Sequence, residues 1–293
     1  MLIAVFSILL LSYICAAAPV LSNNITTEEY EWPSQFVNTV QADIRVLVQG
    51  VGPAIVILPS YGRDGGDDYN GIASALVTAG YKVLRPQPRG TLGSIGPMVN
   101  VTLDDLAADV AAIIDVLASG RAIVFGHAFG TFWAKRIALN YPSKVPVIIV
   151  AAPGAQNIPV DIAGLPFVAG NLSLPTAVRL AALEKGFFAQ GHDAHVWLDG
   201  WYPDTLAMEH AAILGVGDLT TFWAGAPTTQ VLELIPAEDP FQPQDQWNVT
   251  TDLFPDRAVS AVIPGAAHAL FPENLQGVIE AVLPFLAEQT TRL

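Results

Sequence analysis

Short, uninterrupted apolar runs recur along this chain, each closed by a polar or glycine-rich turn. Ala54–Pro59, Arg121–Phe125, Val145–Ala151, Thr229–Ile235 and Ala258–Ile263 are five of them. Apolarity sustained over a strand's length, without alternation, predicts strands covered on both faces, as in a parallel sheet. Helical spacing fills the gaps between runs. Leu106, Val110, Ile113, Ile114 and Leu117 fall on one helix face behind a cap built from Thr102-Leu103-Asp104-Asp105. Thr131–Asn140 reads as a second helix, with Phe132, Ile137 and Ala138 available to pack and Tyr141-Pro142 to stop it. Upstream, Ala42–Gln49 and Ala54–Pro59 read as neighbouring strands joined through Gly50-Val51-Gly52-Pro53, and Ser22–Pro33 reads as a loose polar arm.

The junction between the Arg121–Phe125 strand and the Thr131–Asn140 helix is Gly126-His127-Ala128-Phe129-Gly130. Its frame is that of a nucleophile elbow, in which glycines permit a strained strand-to-helix turn that presents the central residue at the end of the sheet. Ala128 stands where the attacking serine belongs, and a methyl group has no nucleophilic atom. The remaining triad partners are expected downstream, acid first and histidine second. After the Thr229–Ile235 strand comes Pro236-Ala237-Glu238-Asp239-Pro240, which supplies Asp239 with Glu238 as the second choice. After the Ala258–Ile263 strand comes Pro264-Gly265-Ala266-Ala267-His268. This order suits a base held by a carboxylate. His127 is expected to turn away and pack.

These phrases, with Ile57-Leu58-Pro59-Ser60-Tyr61-Gly62-Arg63, Leu84-Arg85-Pro86-Gln87-Pro88-Arg89-Gly90 and Gly265-Ala266-Ala267-His268-Ala269-Leu270, resemble the α/β-hydrolase superfamily over nearly the whole mature chain. Within it the chain is similar to a subgroup that carries Gly-His-Ala-Phe-Gly natively. The resemblance implies an α/β-hydrolase fold: a mostly parallel central sheet, helices on both faces and a helical cap insertion, here about 153–228. It places Ala128 at the nucleophile position, Asp239 as the acid and His268 as the base. It also implies an oxyanion hole from the backbone of the Ser60-Tyr61 loop and of Phe129. Arg63, Asp64, Asp67 and Asp68 in that loop read as solvated turn residues.

The cap region concentrates Phe187, Phe188, Trp197, Trp201, Tyr202, Phe222 and Trp223. Such density suits a pocket for a small apolar molecule, and core packing would call on the same residues. His192, Asp193, His195, Asp199 and His210 lie among them without a ligand spacing such as His-Glu-x-x-His, so no metal is expected. No nucleotide-binding glycine loop follows the first strand, so no cofactor is expected either.

With 293 residues, 52% hydrophobic and 14% charged, the chain can build one large core as a single domain over 18–293. A net charge of -14 disfavours nucleic acid and anionic membrane surfaces as partners. Met1–Ala18 is apolar and ends in small residues, which predicts a signal peptide over 1–17 and a secreted, extracellular protein with no membrane attachment after cleavage. No basic residue opens the segment, which leaves an uncleaved anchor as the alternative. Cleavage after Ala17 removes Cys15, the only cysteine, and with it any disulfide. Sequons at Asn24, Asn100, Asn171 and Asn248 predict N-glycosylation.

Three functions fit these residues. An enzyme without a nucleophile would use the His268-Asp239 dyad as a base, for direct hydrolysis or for proton abstraction. A binding protein would hold an apolar molecule without turnover. A secreted interaction protein would use the scaffold alone.

Overall fold

In the computed structural model, which describes residues 32–155, 158–216 and 228–289, one eight-stranded sheet runs through the molecule. Its strands are β1 (Ser34–Asn38), β2 (Asp43–Gln49), β3 (Ala54–Leu58), β4 (Lys82–Pro86), β5 (Ile123–His127), β6 (Val147–Ala151), β7 (Gln230–Pro236) and β8 (Ala258–Ile263). The spatial order is β1-β2-β4-β3-β5-β6-β7-β8. The first three strands in that order pair antiparallel, and every pair from β4 onward is parallel. The Ser22–Pro33 arm and the sequon at Asn24 lie outside the described residues, except for Trp32 and Pro33.

The continuous apolar runs become central strands because both of their faces are covered. Val56 and Leu58 of β3 join Leu84, Val124 and Ile148 beneath α2 (Leu103–Leu117) and α3 (Phe129–Asn140). Ile55 and Ile57 face the other way, with Phe125 and Ile149, against α1 (Asn70–Thr78) and α9 (Phe271–Glu288). Each fully buried aliphatic side chain of this kind contributes roughly 1.5–3 kcal/mol. The predicted cap of α2 forms as a capping box: Thr102 Oγ accepts the Asp105 N–H, and Asp105 accepts the Thr102 N–H.

One expectation is overturned. β2 and β3 are consecutive but not neighbours, because β4 lies between them, antiparallel to β2 and parallel to β3. A strand joined to its parallel partner through a helix needs a crossover, here α1, and the crossover returns β4 to the far side of β3. β1, where no strand was expected, forms a hairpin with β2 at the sheet edge.

Between β6 and β7 the described chain forms α4 (Val160–Ala163), α5 (Leu165–Ala169), α6 (Thr176–Gly186) and α7 (Pro203–Leu214). Phe187, Phe188, Trp197 and Trp201 are buried in a separate cluster with Leu183, Phe241 and Ala269. Phe222 and Trp223 fall outside the described residues. A short helix, α8 (Val249–Leu253), precedes β8.

Candidate active site

The chain leaves β5 at His127 and enters α3 at Phe129, turning through Ala128 at φ 51° and ψ −111°. A residue other than glycine rarely adopts that conformation, which costs on the order of 1–3 kcal/mol. Two contacts fix the turn: the Ala128 N–H donates to Ala151 O at 2.9 Å, and Thr131 Oγ1 donates to Ala128 O at 2.7 Å. The flanking glycines are obligatory for steric reasons. A Cβ on Gly126 would overlap the Gly130 carbonyl, and one on Gly130 would overlap the Leu58 carbonyl. The sharp turn therefore sits hard against β3, with the Gly130 N–H bonded to Pro59 O.

The loops after β7 and β8 bring Asp239 and His268 together. His268 Nδ1 donates to Asp239 Oδ2 at 2.9 Å, and both side chains are buried. Asp239 Oδ1 accepts the Phe241 N–H, and the Gln242 N–H donates to Asp239 O. The Gln242 side chain in turn donates to Glu233 of β7. Glu238, the second choice for the acid, is exposed. With Nδ1 engaged, the His268 lone pair is on Nε2.

His127 does more than pack. Its Nε2 donates to the His268 carbonyl at 2.8 Å, and its Nδ1 accepts from the Tyr69 hydroxyl at 2.9 Å. Burial and the nearby His268 push its pKa down to about 3, so the ring is neutral. Tyr69 also accepts the Ser60 N–H at 3.0 Å. A single buried chain of hydrogen bonds thus joins the loop after β3, the elbow and the loop after β8.

That chain occupies the Ser60 N–H. On the other side of Tyr61, the Gly62 N–H donates to Glu209 Oε2 of α7 at 2.7 Å. Among the described residues the N–H groups of Tyr61 and Phe129 have no hydrogen-bond partner. Arg63 is not solvated as its glycine- and aspartate-rich loop suggested: it is buried, paired with Asp68 at 2.7 Å, and stacked over Trp197 and Trp201. The cap's tryptophans supply the cover that the loop itself lacks. Asp64 is half-buried and accepts from the Tyr202 hydroxyl, whereas Asp67 is exposed.

Aromatic side chains close over the dyad. The His268 ring lies 4.3 Å from Phe241 and 5.5 Å from Phe187, centroid to centroid, and Ala128 is 3% exposed. Glu273 ties the cap to the histidine loop, accepting the N–H groups of Ala189, Ala267 and Leu270. A cavity of about 740 Å³, lined by Met98–Thr102 and the outer face of α7, includes neither Ala128 nor His268. The cap's histidines do not converge: His192 faces the Gly265 carbonyl, His195 pairs with Asp193, and His210 packs at a tilt against Phe167. No group of three or more His, Cys, Asp or Glu suited to a metal comes together among the described residues.

Tyr69, His127, Glu209 and Glu273 were not legible as site residues. Glu209 left one trace, since it shares the buried face of α7 with Leu206 and Ala212, where an apolar residue is the rule.

A mostly parallel sheet, an elbow after the fifth strand and an acid and a histidine after the last two strands define an α/β-hydrolase scaffold. The family model for the alpha/beta hydrolase fold matches residues 53–275, and the chain belongs to that family. It is 28% identical over 166 residues to a 2-hydroxy-6-oxononadienedioate/2-hydroxy-6-oxononatrienedioate hydrolase of Burkholderia vietnamiensis, covering 53% of this chain and 58% of that protein. It is 33% identical over 129 residues to the AB hydrolase superfamily protein YfhM of Bacillus subtilis, covering 43% of each. Both alignments span less than two thirds of the relative. Among solved structures, the esterase EaEST from Exiguobacterium antarcticum superposes with a TM-score of 0.73 at 18% identity, covering 87% of this chain and 100% of that one. Epoxide hydrolase A from Mycobacterium thermoresistibile gives 0.65 at 18%, covering 87% and 98%. At these identities the structural likeness shows the fold alone.

Proposed function

We propose that this protein is a secreted enzyme that uses His268, oriented by Asp239, as a general base on a small apolar carbonyl compound, without a covalent intermediate. The observation that carries this reading is the buried 2.9 Å His268–Asp239 contact beside an elbow that holds only a methyl group. His268 Nε2 takes a proton from water as the water oxygen attacks the carbonyl carbon. The carbonyl oxygen, now negative, is held by the N–H groups of Tyr61 and Phe129, and Asp239 stabilises the imidazolium. The proton then passes to the departing oxygen as its bond to carbon breaks. Proton abstraction from an acidic C–H is the other reaction open to the same groups.

Such a site, lacking its nucleophile, retains roughly 10³ to 10⁴-fold acceleration over water. That is too little for a bulk digestive esterase and enough for an activated ester. The apolar leader supports secretion, and so do the exposed positions of Asn100, Asn171 and Asn248. The aromatic seal over His268 favours a second reading, a non-catalytic protein that keeps the frame for ligand binding or partner contact. Turnover of p-nitrophenyl acetate by the mature protein and by His268→Ala at neutral pH separates the two. Loss of turnover in the variant supports the base. Equal background in both overturns hydrolysis and leaves proton abstraction from an acidic C–H or the second reading.

A further inference from the structure

The three consecutive N–H groups of the loop after β3 are treated unequally. Ser60 N–H is held by Tyr69 from the sheet side, Gly62 N–H is held by Glu209 from the cap side, and Tyr61 N–H between them has no partner among the described residues. We propose that Glu209 is a positioning residue for the oxyanion hole: it pins Gly62 to the cap and leaves Tyr61 N–H as the donor this loop offers to a substrate carbonyl. The proposal rests on the general-base reading for its catalytic meaning, and on the geometry alone for the contact.

Four observations support it. Gly62 is bound on both sides of its peptide, because the Tyr202 N–H donates to its carbonyl at 2.8 Å. Its φ of 58° needs glycine, and a Cβ there would press on Leu206, one turn before Glu209 on α7. Glu209 is fully buried, yet its Oε1 has no partner among the described residues. A leucine would fill that volume without the unpartnered Oε1 but would leave the Gly62 N–H without its acceptor, so what a carboxyl adds at this place is the bond to Gly62. Finally, burial pushes the Glu209 carboxyl well above its ordinary range, which favours its neutral form. A neutral acceptor can hold Gly62 without placing a negative charge beside an oxygen that becomes negative in the reaction. The ionisable side chain coupled to it from the facing loop is Tyr61, which burial holds protonated. On α7 itself Asp204 is exposed and His210 packs at a tilt against Phe167.

Tyr61-Gly62 is the only Tyr-Gly pair in the chain, so carbonyl-¹³C tyrosine with ¹⁵N glycine isolates the Gly62 amide as a single resonance in the full-length protein. In the wild type this resonance should lie downfield and move with pH around a midpoint above the usual carboxylate range. In Glu209→Gln it should remain downfield and stop moving. In Glu209→Leu it should move upfield and exchange with solvent at least about tenfold faster. p-Nitrophenyl acetate turnover that depends on His268 should fall by about tenfold to a hundredfold in Glu209→Leu, with most of it recovered in Glu209→Gln. An identical Gly62 resonance in wild type and Glu209→Leu overturns the proposal. Turnover unchanged in Glu209→Leu also overturns it. Wild type without His268-dependent turnover overturns the hydrolysis reading and with it the catalytic meaning given to Glu209 here, while the Gly62 resonance still decides whether Glu209 holds the loop.

Discussion

Ala128→Ser puts the missing hydroxyl back on an elbow already bent to present it. The substitution adds one oxygen to a Cβ that exists, so the strain at φ 51° is unchanged. The new group stands next to His127, whose ring already contacts the His268 carbonyl. In a complete triad the nucleophile is worth on the order of 10⁶ in kcat, and a placement error of about 1 Å removes about 10² of that. The expected gain in p-nitrophenyl acetate turnover is therefore on the order of 10³ to 10⁴. The cost is modest, since an unpaired hydroxyl in these surroundings loses roughly 1–3 kcal/mol and pairing with His268 offsets it. Thermal melting should fall by no more than about 10 °C for a chain of this size. The assay combines ester kinetics with fluorophosphonate labelling read by intact mass, and Ala128→Ser/His268→Ala should lose both signals. A variant that melts within that range and shows neither labelling nor a rise in turnover would refute a preserved oxyanion hole and base.

Gly130→Ala should destabilise the fold by about 3 kcal/mol or more in urea unfolding, because its Cβ has backbone, not flexible side chain, to displace. Tyr69→Phe removes the acceptor of Ser60 N–H and the donor to His127 Nδ1 together; urea unfolding should show a loss of about 2–4 kcal/mol. The pKa of His127 falls from 6.5 to about 3 on folding, so the unfolded chain takes up its proton first. Its contribution, full above pH 6.5, should be lost as pH falls from there toward 3, to a limit of about 5 kcal/mol. His127→Asn should accordingly be less stable at pH 7 and flatter across that acid range. A variant whose acid slope matches the wild type would exclude His127 as the source.

What was legible in the sequence is what local chemistry determines. The elbow announces itself because its five residues are contiguous and Gly126 is forced by Gly130 four residues on, and the α2 cap because Thr102 and Asp105 bond each other. β8 was read to its observed ends, Ala258 and Ile263, since polar and proline residues bracket it. The order β2-β4-β3 was not legible, because nothing within Gly50–Pro53 records that a later strand will enter the gap. Arg63 was misread for a related reason: its loop looks solvated, and the tryptophans that bury it lie more than a hundred residues downstream. Glu209 and Gly62 are 147 residues apart, a pairing that neither periodicity nor a motif can register.

The site also shows where the fold bears its costs. Ala128 and Ala152 sit at positive φ immediately after the carboxyl ends of β5 and β6, and Leu270 does so in the loop that carries His268. Beside them lie the Tyr61 and Phe129 N–H groups and a Glu209 oxygen, all without a hydrogen-bond partner among the described residues, and a histidine held neutral far below its ordinary pKa. Each opposes folding by an amount comparable to a single core side chain's contribution. A scaffold used only for outward contacts gains nothing from concentrating them at one end of its sheet. A scaffold that must hold a base, an acid and two free donors in register around a small carbonyl requires all of them. That contrast, rather than the missing serine, is what weighs the enzyme reading above the inert one.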